Sequence, residues 1–193
     1  RRDAGHDQQH QRPVAPLRRR TAEHGDRHHE DRGGDGHDRV TGNALANVIF
    51  GNTGNNYLQG DAGDDRISGG SGVDRLRGGA GKDTLTGGAN NDAFVFDGAA
   101  DNGIGSTRDV VTDFAVGFDD LDFNLTDANS TAAGNQNFVW RGTGAFTAAG
   151  QLRYIQTGGN TIVQGNLDGN LATIEFEIQL NGLKALTAGD IVA

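Results

Sequence analysis

Residues 60–95 read GDAGDDRIS-GGSGVDRLR-GGAGKDTLT-GGANNDAFV, four consecutive nonapeptides that share one internal pattern. Three further units precede them, so seven nonapeptides follow one another without a gap over residues 33–95. Each unit has glycine at position one and a large apolar residue at position eight. These residues are Gly33, Gly42, Gly51, Gly60, Gly69, Gly78 and Gly87, and Val40, Ile49, Leu58, Ile67, Leu76, Leu85 and Phe94. A short fixed period predicts a solenoid, whereas a flexible glycine-rich linker would contain the glycines without the register.

Position six of the nonapeptide carries the polar group that decides the chemistry of the loop. It is aspartate in five units and asparagine in two: Asp38, Asn47, Asn56, Asp65, Asp74, Asp83 and Asp92. The glycines before it allow positive φ angles, which can turn carbonyl oxygens towards the inside of a loop. Carbonyl and carboxylate oxygens are the ligands that Ca²⁺ prefers. The residues after position six suffice for one short strand, so two units form an 18-residue coil and each unit stacks on the second unit after it.

The pattern GGxGxDxUx, in which U is a large apolar residue, resembles the RTX or hemolysin-type calcium-binding repeat. The resemblance implies an all-β fold, with a right-handed parallel β-roll over 33–96 and a C-terminal β cap over 97–193. It also implies Ca²⁺ as the cofactor, with about two to four ions per chain. In that family, one loop offers the carbonyls of positions two and four and the side chain of position six. The next coil offers the carbonyls of positions one and three and its own position-six side chain.

Four candidate calcium sites follow from this resemblance. The first combines Asp61, Gly63 and Asp65 with Gly78, Ala80 and Asp83. The second combines Gly70, Gly72 and Asp74 with Gly87, Ala89 and Asp92. The third combines Asn52, Gly54 and Asn56 with Gly69, Ser71 and Asp74, and is expected to be weaker because Asn56 supplies only a neutral oxygen. The fourth combines Gly34, Gly36 and Asp38 with Gly51, Thr53 and Asn56.

The unit that begins at Gly42 departs most from the pattern. Leu45 replaces a glycine, and Asn47 replaces the aspartate of position six. We therefore expect this unit to hold an ion poorly.

Residues 1–32 differ in composition from the rest of the chain. They contain five of the six His, both Pro, and eight Arg against six acidic residues, which leaves a formal charge of −11 on residues 33–193. We predict that residues 1–32 are a disordered tail or a translation or cloning artefact. His29 and Glu30 do not begin a zinc-protease helix, because Gly33 stands where the second His of that motif is required.

The acidic body argues against nucleic acid as a partner. The sequence shows no membrane span and no N-terminal signal peptide. It also lacks cysteine, so an exported protein of this composition would obtain its rigidity from a source such as bound metal.

The chain changes its pattern after residue 96. The segments DVVTDF at 109–114 and GFDDLDF at 117–123 resemble the C-terminal region of the serralysins. Further strands are predicted at 138–140, 152–155, 161–163 and 174–180, and Trp140 is expected to pack in the cap. The last residues, DIVA, resemble the C-terminal export signal of type I secretion substrates. An ordinary last strand is the alternative for this segment.

Three function classes are compatible with these features. The first, which we favour, is a calcium-binding module that folds on binding Ca²⁺ and serves type I secretion as part of a larger bacterial exoprotein. Its partners would be Ca²⁺ and the type I transporter. The second is the tail of a secreted enzyme, such as a serralysin-like metalloprotease or a mannuronan epimerase; no catalytic set is expected within the chain itself. The third is an adhesive or surface-layer module, although nothing in the sequence supports a glycan ligand.

Overall fold

A computed structural model describes residues 18–21, 29–99, 101–124, 126–129 and 136–193. Within them, the strands of the repeat region are β1 (Arg18–Thr21), β2 (His29–Arg32), β3 (Asp38–Asn43), β4 (Asn47–Phe50), β5 (Tyr57–Ala62), β6 (Arg66–Ser71), β7 (Arg75–Ala80), β8 (Thr84–Ala89) and β9 (Ala93–Val95). The later strands are β10 (Asp109–Val111), β11 (Asp120–Asp122), β12 (Val139–Trp140), β13 (Gln151–Thr157), β14 (Asn160–Asn166), β15 (Phe176–Leu180) and β16 (Ile191–Val192). Two 3₁₀ helices cover Gly105–Thr107 and Ala188–Asp190.

The strands of the repeats alternate between two parallel sheets. One sheet contains β1, β3, β5, β7 and β9 in that order, and the other contains β8, β6, β4 and β2. Each strand pairs with the second strand after it, so that Leu58 lies beside Leu76 and Ile49 beside Ile67. The parallel β-roll is therefore confirmed, with the predicted repeat of 18 residues per coil.

The position-eight residues form two stacked columns between the sheets. One column contains Val40, Leu58, Leu76 and Phe94, and the other contains Ile49, Ile67 and Leu85. All seven side chains are at most 2% exposed. Full burial of one such side chain contributes about 1.5–3 kcal/mol, so the columns form the main hydrophobic core of the roll.

Position two has a positive φ in the stacked loops from Asn52 onwards, and it is glycine in the last three of them. Gly79 has a φ of 103°, and a Cβ atom there would overlap with the carbonyl oxygen of Asp61 in the preceding coil. A larger residue would meet both an unfavourable backbone conformation and a backbone atom that cannot move aside.

The C-terminal part continues both sheets of the roll. β10 pairs with β8 and β15, while β11 pairs with β9 and β16. Strands β13, β14 and β15 are antiparallel. The ring of Phe123 contacts those of Phe96, Phe138 and Phe176 at centroid distances of 5.4–5.8 Å, which covers the open end of the solenoid core. Trp140 packs against this core and stacks on Tyr154.

Parallel pairing begins before the first nonapeptide. β1 pairs with β3 and β2 pairs with β4, although both strands belong to the segment 1–32 for which a disordered tail was predicted. The remainder of that segment, 1–17 and 22–28, lies outside the described residues. The division of the chain at residues 32 and 96 stays a prediction, and the sheets cross both of these boundaries.

Candidate calcium sites

The position-six side chains form a hydrogen-bonded ladder along the roll. The backbone N–H of each one donates to Oδ1 of the position-six residue in the next coil. The pairs are Asp38 with Asn56 (2.9 Å), Asn47 with Asp65 (2.7 Å), Asn56 with Asp74 (2.7 Å), Asp65 with Asp83 (2.8 Å) and Asp74 with Asp92 (2.9 Å). All of these side chains are at most 4% exposed. The ladder therefore fixes Oδ1 of each position-six side chain from Asn56 to Asp92. The second terminal atom of each side chain is free to interact with the loop.

In the four C-terminal repeats this other atom is a carboxylate oxygen without a partner. Oδ2 is buried and accepts no hydrogen bond from the described residues in Asp65, Asp74, Asp83 and Asp92. An unpaired buried carboxylate oxygen is costly, because it has lost its water and gained no donor. The atoms around it show what could replace the missing donor.

A carbonyl oxygen borders the same space as the unpaired carboxylate oxygen at Asp65 and at Asp74. A Cβ atom built on Gly60 would overlap with Asp65 Oδ2 and lie 2.6 Å from the carbonyl oxygen of Gly78. A Cβ atom on Gly69 would similarly overlap with Asp74 Oδ2 and lie 2.5 Å from the carbonyl oxygen of Gly87. Two oxygens that border one small space repel each other unless a cation lies between them.

The same oxygens belong together in the sites derived from the sequence. Asp65 and Gly78 are both in the first candidate site, and Asp74 and Gly87 are both in the second. The structure thus brings together the position-six carboxylate of one loop and the position-one carbonyl of the next coil, as these two sites require.

Burial raises the pKa of these carboxyl groups in the folded chain. The pKa of Asp65 rises to about 6, and the pKa values of Asp83 and Asp92 rise to about 7. The pKa of Asp74 is also raised, again mainly by burial. Neighbouring carboxylates add to the effect, since Asp65 raises the pKa of Asp83. A bound divalent cation would reverse this balance and favour the ionised form.

Asn47 satisfies its loop in a different way. Its Nδ2 lies within hydrogen-bond distance of the carbonyl oxygens of Asn43 (3.2 Å), Leu45 and Gly60 (3.5 Å) and of Asp65 Oδ1 (3.0 Å), so its two N–H groups are shared among these acceptors. Asn47 Oδ1 is buried and accepts no hydrogen bond from the described residues. These carbonyls occupy position two, position four and position one of the next coil, which are three of the four carbonyl positions expected around an ion. The side-chain amide therefore lies where a cation would otherwise be needed, which supports the expectation that this unit holds an ion poorly.

The third candidate site has the same kind of substitution. Asn56 accepts the N–H of Asp38 with Oδ1, and its Nδ2 donates to the carbonyl of Gly54 at 3.0 Å. Asn56 was expected to offer a neutral oxygen to an ion; in the structure that oxygen accepts the N–H of the ladder and the amide N–H₂ faces the loop. In the fourth candidate site, Asp38 Oδ2 accepts the N–H of Gly34 at 2.6 Å, so its carboxylate is already partnered.

The carbonyls of positions two and three lie in the stacked loops. The position-three carbonyls of Thr53, Ser71, Ala80 and Ala89 accept the backbone N–H of Gly36, Gly54, Gly63 and Gly72 at 2.8–3.2 Å. The carbonyl of Asn52 accepts the N–H of Ser71, and a Cβ on Gly88 would overlap with the carbonyl of Gly70. A carbonyl has two lone pairs, so these groups retain one for an ion.

Two cap residues extend the ladder, and the repeat pattern missed them. The N–H of Asp83 donates to Asp109 Oδ1 at 2.8 Å, and the N–H of Asp92 donates to Asp119 Oδ1 at 2.9 Å. The sequence separations are 26 and 27 instead of 18. A signal was present, since both aspartates precede a buried apolar residue by two positions, Val111 and Leu121, as in the second half of a nonapeptide. Burial, with a contribution from Asp83, raises the pKa of Asp109 to about 8.

Side chains alone do not make a metal site here. Among the described residues, no group of three or more His, Asp or Glu side chains is arranged to hold a metal ion. Any ion in the loops must therefore obtain many of its ligands from backbone carbonyls. No helix in the described ranges is long and apolar enough to cross a membrane.

Comparisons with known proteins identify the repeats. The family model for the RTX calcium-binding nonapeptide repeat (4 copies) matches residues 41–76 and 68–102. Among solved structures, the chain is similar to the AlgE6R3 subunit from the Azotobacter vinelandii mannuronan C5-epimerase. That similarity has 24% sequence identity and a TM-score of 0.40, and covers 86% of this chain and 80% of the other. No curated protein sequence is significantly similar to the chain. Residues 41–102 are RTX calcium-binding nonapeptide repeats, and they lie within the parallel β-roll.

Proposed function

We propose that this chain is a module that folds when Ca²⁺ binds between successive loops of its C-terminal repeats. One observation carries the proposal. Oδ2 of Asp65, Asp74, Asp83 and Asp92 is buried and accepts no hydrogen bond from the described residues, at the loop position that an amide nitrogen takes in Asn47. The amide nitrogen of Asn47 donates hydrogen bonds to the surrounding carbonyls. A carboxylate oxygen at the same place cannot donate, so these oxygens need a bound cation instead.

The residues that would hold the ions are those of the first and second candidate sites. In the first, the carboxylates of Asp65 and Asp83 would act with the carbonyls of Asp61, Gly63, Gly78 and Ala80. In the second, those of Asp74 and Asp92 would act with the carbonyls of Gly70, Gly72, Gly87 and Ala89. When bound, Ca²⁺ supplies the positive charge that offsets part of the formal charge of −11 on residues 33–193.

The free energy of calcium binding is large enough to control folding. Extracellular calcium modules bind with a Kd of about 10⁻⁴–10⁻³ M. At a tenfold excess of free Ca²⁺ over Kd, each site stabilises the fold by about 1.4 kcal/mol. Two to four sites then contribute about 3–6 kcal/mol, against a total domain stability of about 5–15 kcal/mol.

Circular dichroism with and without calcium tests this proposal. We expect the chain to lose its β-sheet spectrum in excess EGTA and to recover it when CaCl₂ is restored. MgCl₂ at the same concentration should not restore it, because Mg²⁺ is small and gives up its water reluctantly. A β-sheet spectrum that excess EGTA leaves unchanged would contradict the proposal.

We further propose that the module belongs to a larger bacterial exoprotein that leaves the cell through a type I transporter. The geometry of the C-terminus supports an order of events. Asp190 is fully buried and accepts the N–H of Gly117 at 2.6 Å, and β16 pairs with β11. A transporter could therefore bind the last residues only before the chain folds. A cytosolic calcium concentration below the Kd would keep it unfolded until then.

Deletion of residues 191–193 tests the export role. This truncated chain, co-expressed with a type I transporter, should stay inside the cell. It should still refold in calcium in vitro, because Asp190 and the core columns are retained. Arrival of the truncated chain in the medium at full yield, without lysis, would show that the export signal lies elsewhere.

A further inference from the structure

The position-six ladder ends in the cap on both sides of the roll, and the two ends differ. One side runs from Asn47 through Asp65 and Asp83 to Asp109, and the other from Asp38 through Asn56, Asp74 and Asp92 to Asp119. Asp109 is 1% exposed and Asp119 is 4% exposed. Each accepts the N–H of the preceding rung with Oδ1. The difference lies in what contacts Oδ2.

At Asp119 both carboxylate oxygens have a donor. Oδ1 accepts the N–H of Asp92 at 2.9 Å, and Oδ2 accepts the N–H of Ala115 at 2.8 Å. The N–H of Ala115 belongs to the cap segment that leads into β11, four residues before Asp119. Backbone donors thus satisfy this last carboxylate, as the amide of Asn47 satisfies its own loop.

At Asp109 only one carboxylate oxygen has a donor. Oδ1 accepts the N–H of Asp83, and no described residue donates to Oδ2. One rung earlier, Asp83 is fully buried and its Oδ2 also accepts no hydrogen bond from the described residues. Two adjacent rungs, Asp83 and Asp109, thus each have a carboxylate oxygen that accepts no hydrogen bond from the described residues, and the oxygen of Asp83 is buried.

The loop between these two carboxylates has the shape of a calcium loop. Gly79 and Gly81 occupy positions two and four with φ angles of 103° and 139°, as the glycine-type backbone of the repeat requires. Gly81 forms a parallel bridge with Asn102, so the cap segment before β10 lies on this loop where the next coil would otherwise be. The cap therefore takes the place of the next nonapeptide loop at this end.

We propose that the cap completes an additional Ca²⁺ site, in which Asp109 acts with Asp83 and the carbonyls of Gly79 and Gly81, while the Asp119 end closes without an ion. This inference rests on the proposed function, since it extends the same mode of binding by one coil. It assigns Asp83 to two sites, one with Asp65 and one with Asp109. It also makes the cap a contributor of metal ligands as well as a cover for the hydrophobic core.

Calcium stoichiometry of matched variants tests the assignment. Calorimetric titration of the full chain would compare the unchanged protein with Asp109→Asn, Asp119→Asn and Asp83→Asn. The asparagine side chain retains the Oδ1 acceptor for the ladder, so the three variants change mainly the charge. We expect Asp109→Asn to lose one ion, Asp83→Asn to lose two, and Asp119→Asn to lose none. Near-ultraviolet circular dichroism of Trp140 in the cap reports whether each variant folds.

The outcomes separate this inference from the proposed function. A chain that binds no calcium at all would overturn both. Equal stoichiometry for Asp109→Asn and the unchanged protein, or the loss of an ion in Asp119→Asn, would overturn only the additional site. Should Asp109→Asn fail to fold, anomalous diffraction from calcium-saturated crystals of the unchanged chain decides the question. An ion about 2.3–2.6 Å from both Asp83 Oδ2 and an Asp109 oxygen supports the site, and its absence there overturns it.

Discussion

The Asn47 rung and the four C-terminal aspartate rungs place opposite hydrogen-bonding groups at equivalent positions in their loops. In both, the backbone N–H donates along the ladder and the side chain projects into a loop with carbonyl oxygens nearby. Asn47 brings two N–H donors, and its amide nitrogen lies within hydrogen-bond distance of three of those carbonyls. The four aspartate rungs instead bring another acceptor, the carboxylate oxygen Oδ2. This oxygen is buried and accepts no hydrogen bond from the described residues in Asp65, Asp74, Asp83 and Asp92.

This difference assigns the calcium dependence to one part of the roll. The loops at Asn47 and Asn56 can close with neutral hydrogen bonds, whereas the loops from Gly60 onwards need a cation to hold their oxygens together. Under the proposed function, the exchange of one atom, an amide nitrogen for a carboxylate oxygen, separates a loop whose carbonyls have an N–H donor from one that depends on calcium. Asn47 Oδ1 is itself buried and accepts no hydrogen bond from the described residues. The following predictions test that separation.

The largest effect is expected from loss of a carboxylate in the C-terminal rungs. Asp83→Ala removes a ligand and also the acceptor for the N–H of Asp65, which costs about 1–3 kcal/mol in addition to the lost site. Titration calorimetry should show fewer ions and weaker binding. Asp127→Ala is the control, because Asp127 lies outside the ladder and, among the described residues, accepts the N–H groups of Asn129 and Gln136 in the cap. Equal site counts and affinities for the two variants would contradict the register of the sites.

A smaller effect on stability is expected from pH. Protonation of the buried carboxylates neutralises part of the negative charge that bound calcium would otherwise offset. The folded, calcium-free chain has carboxyl groups with raised pKa values, about 6 for Asp65 and about 7 for Asp83 and Asp92. The unfolded chain titrates these groups near pH 4, so between about pH 4 and pH 7 the folded state binds more protons. The free energy of unfolding must therefore fall as pH rises through this window.

Circular dichroism at different pH values tests the predicted fall in the free energy of unfolding with rising pH. Without calcium, the β-sheet signal in circular dichroism should increase as the pH is lowered from about 8 to about 6. Calcium affinity should fall over the same range, because protons compete for the ligands. The variant Asp65→Asn/Asp92→Asn should show a weaker pH dependence. A calcium-free fold that becomes more stable as the pH rises would refute this account of the loops.

The sequence predicted the parts of the structure that follow a fixed period. The two core columns and the 18-residue register both follow from the spacing of residues such as Leu58 and Leu76. The repeat did not predict Asp109 and Asp119, because the cap inserts extra residues before them. Their separations from Asp83 and Asp92 are therefore 26 and 27 residues instead of 18. The local pattern of an aspartate two residues before a buried apolar residue persists there and identifies both positions in retrospect.

The role of the asparagines could not be read from the sequence, because the residue type does not say which end of the amide faces the loop. In the structure the ladder answers this for Asn56, since only Oδ1 can accept the N–H of Asp38. The nitrogen must then face the carbonyl of Gly54. The amide of Asn56 therefore presents a donor to the loop of the third candidate site, and the oxygen ligand expected from Asn56 stays a prediction.

The smallest effect is expected from converting one kind of loop into the other. Asn47→Asp keeps the size of the side chain but replaces the donor to Asn43, Leu45 and Gly60 with an acceptor. At limiting calcium this should lower the free energy of unfolding by about 1–3 kcal/mol, the usual cost of a buried unsatisfied group. At saturating calcium the loop has the ligand set of its neighbours and should bind one more ion. Asn55→Asp is the control, because Asn55 has the same side chain one unit later but lies exposed outside the ladder. If Asn47→Asp binds no additional calcium and denatures like the unchanged chain at limiting calcium, the amide of Asn47 does not stand in for a cation.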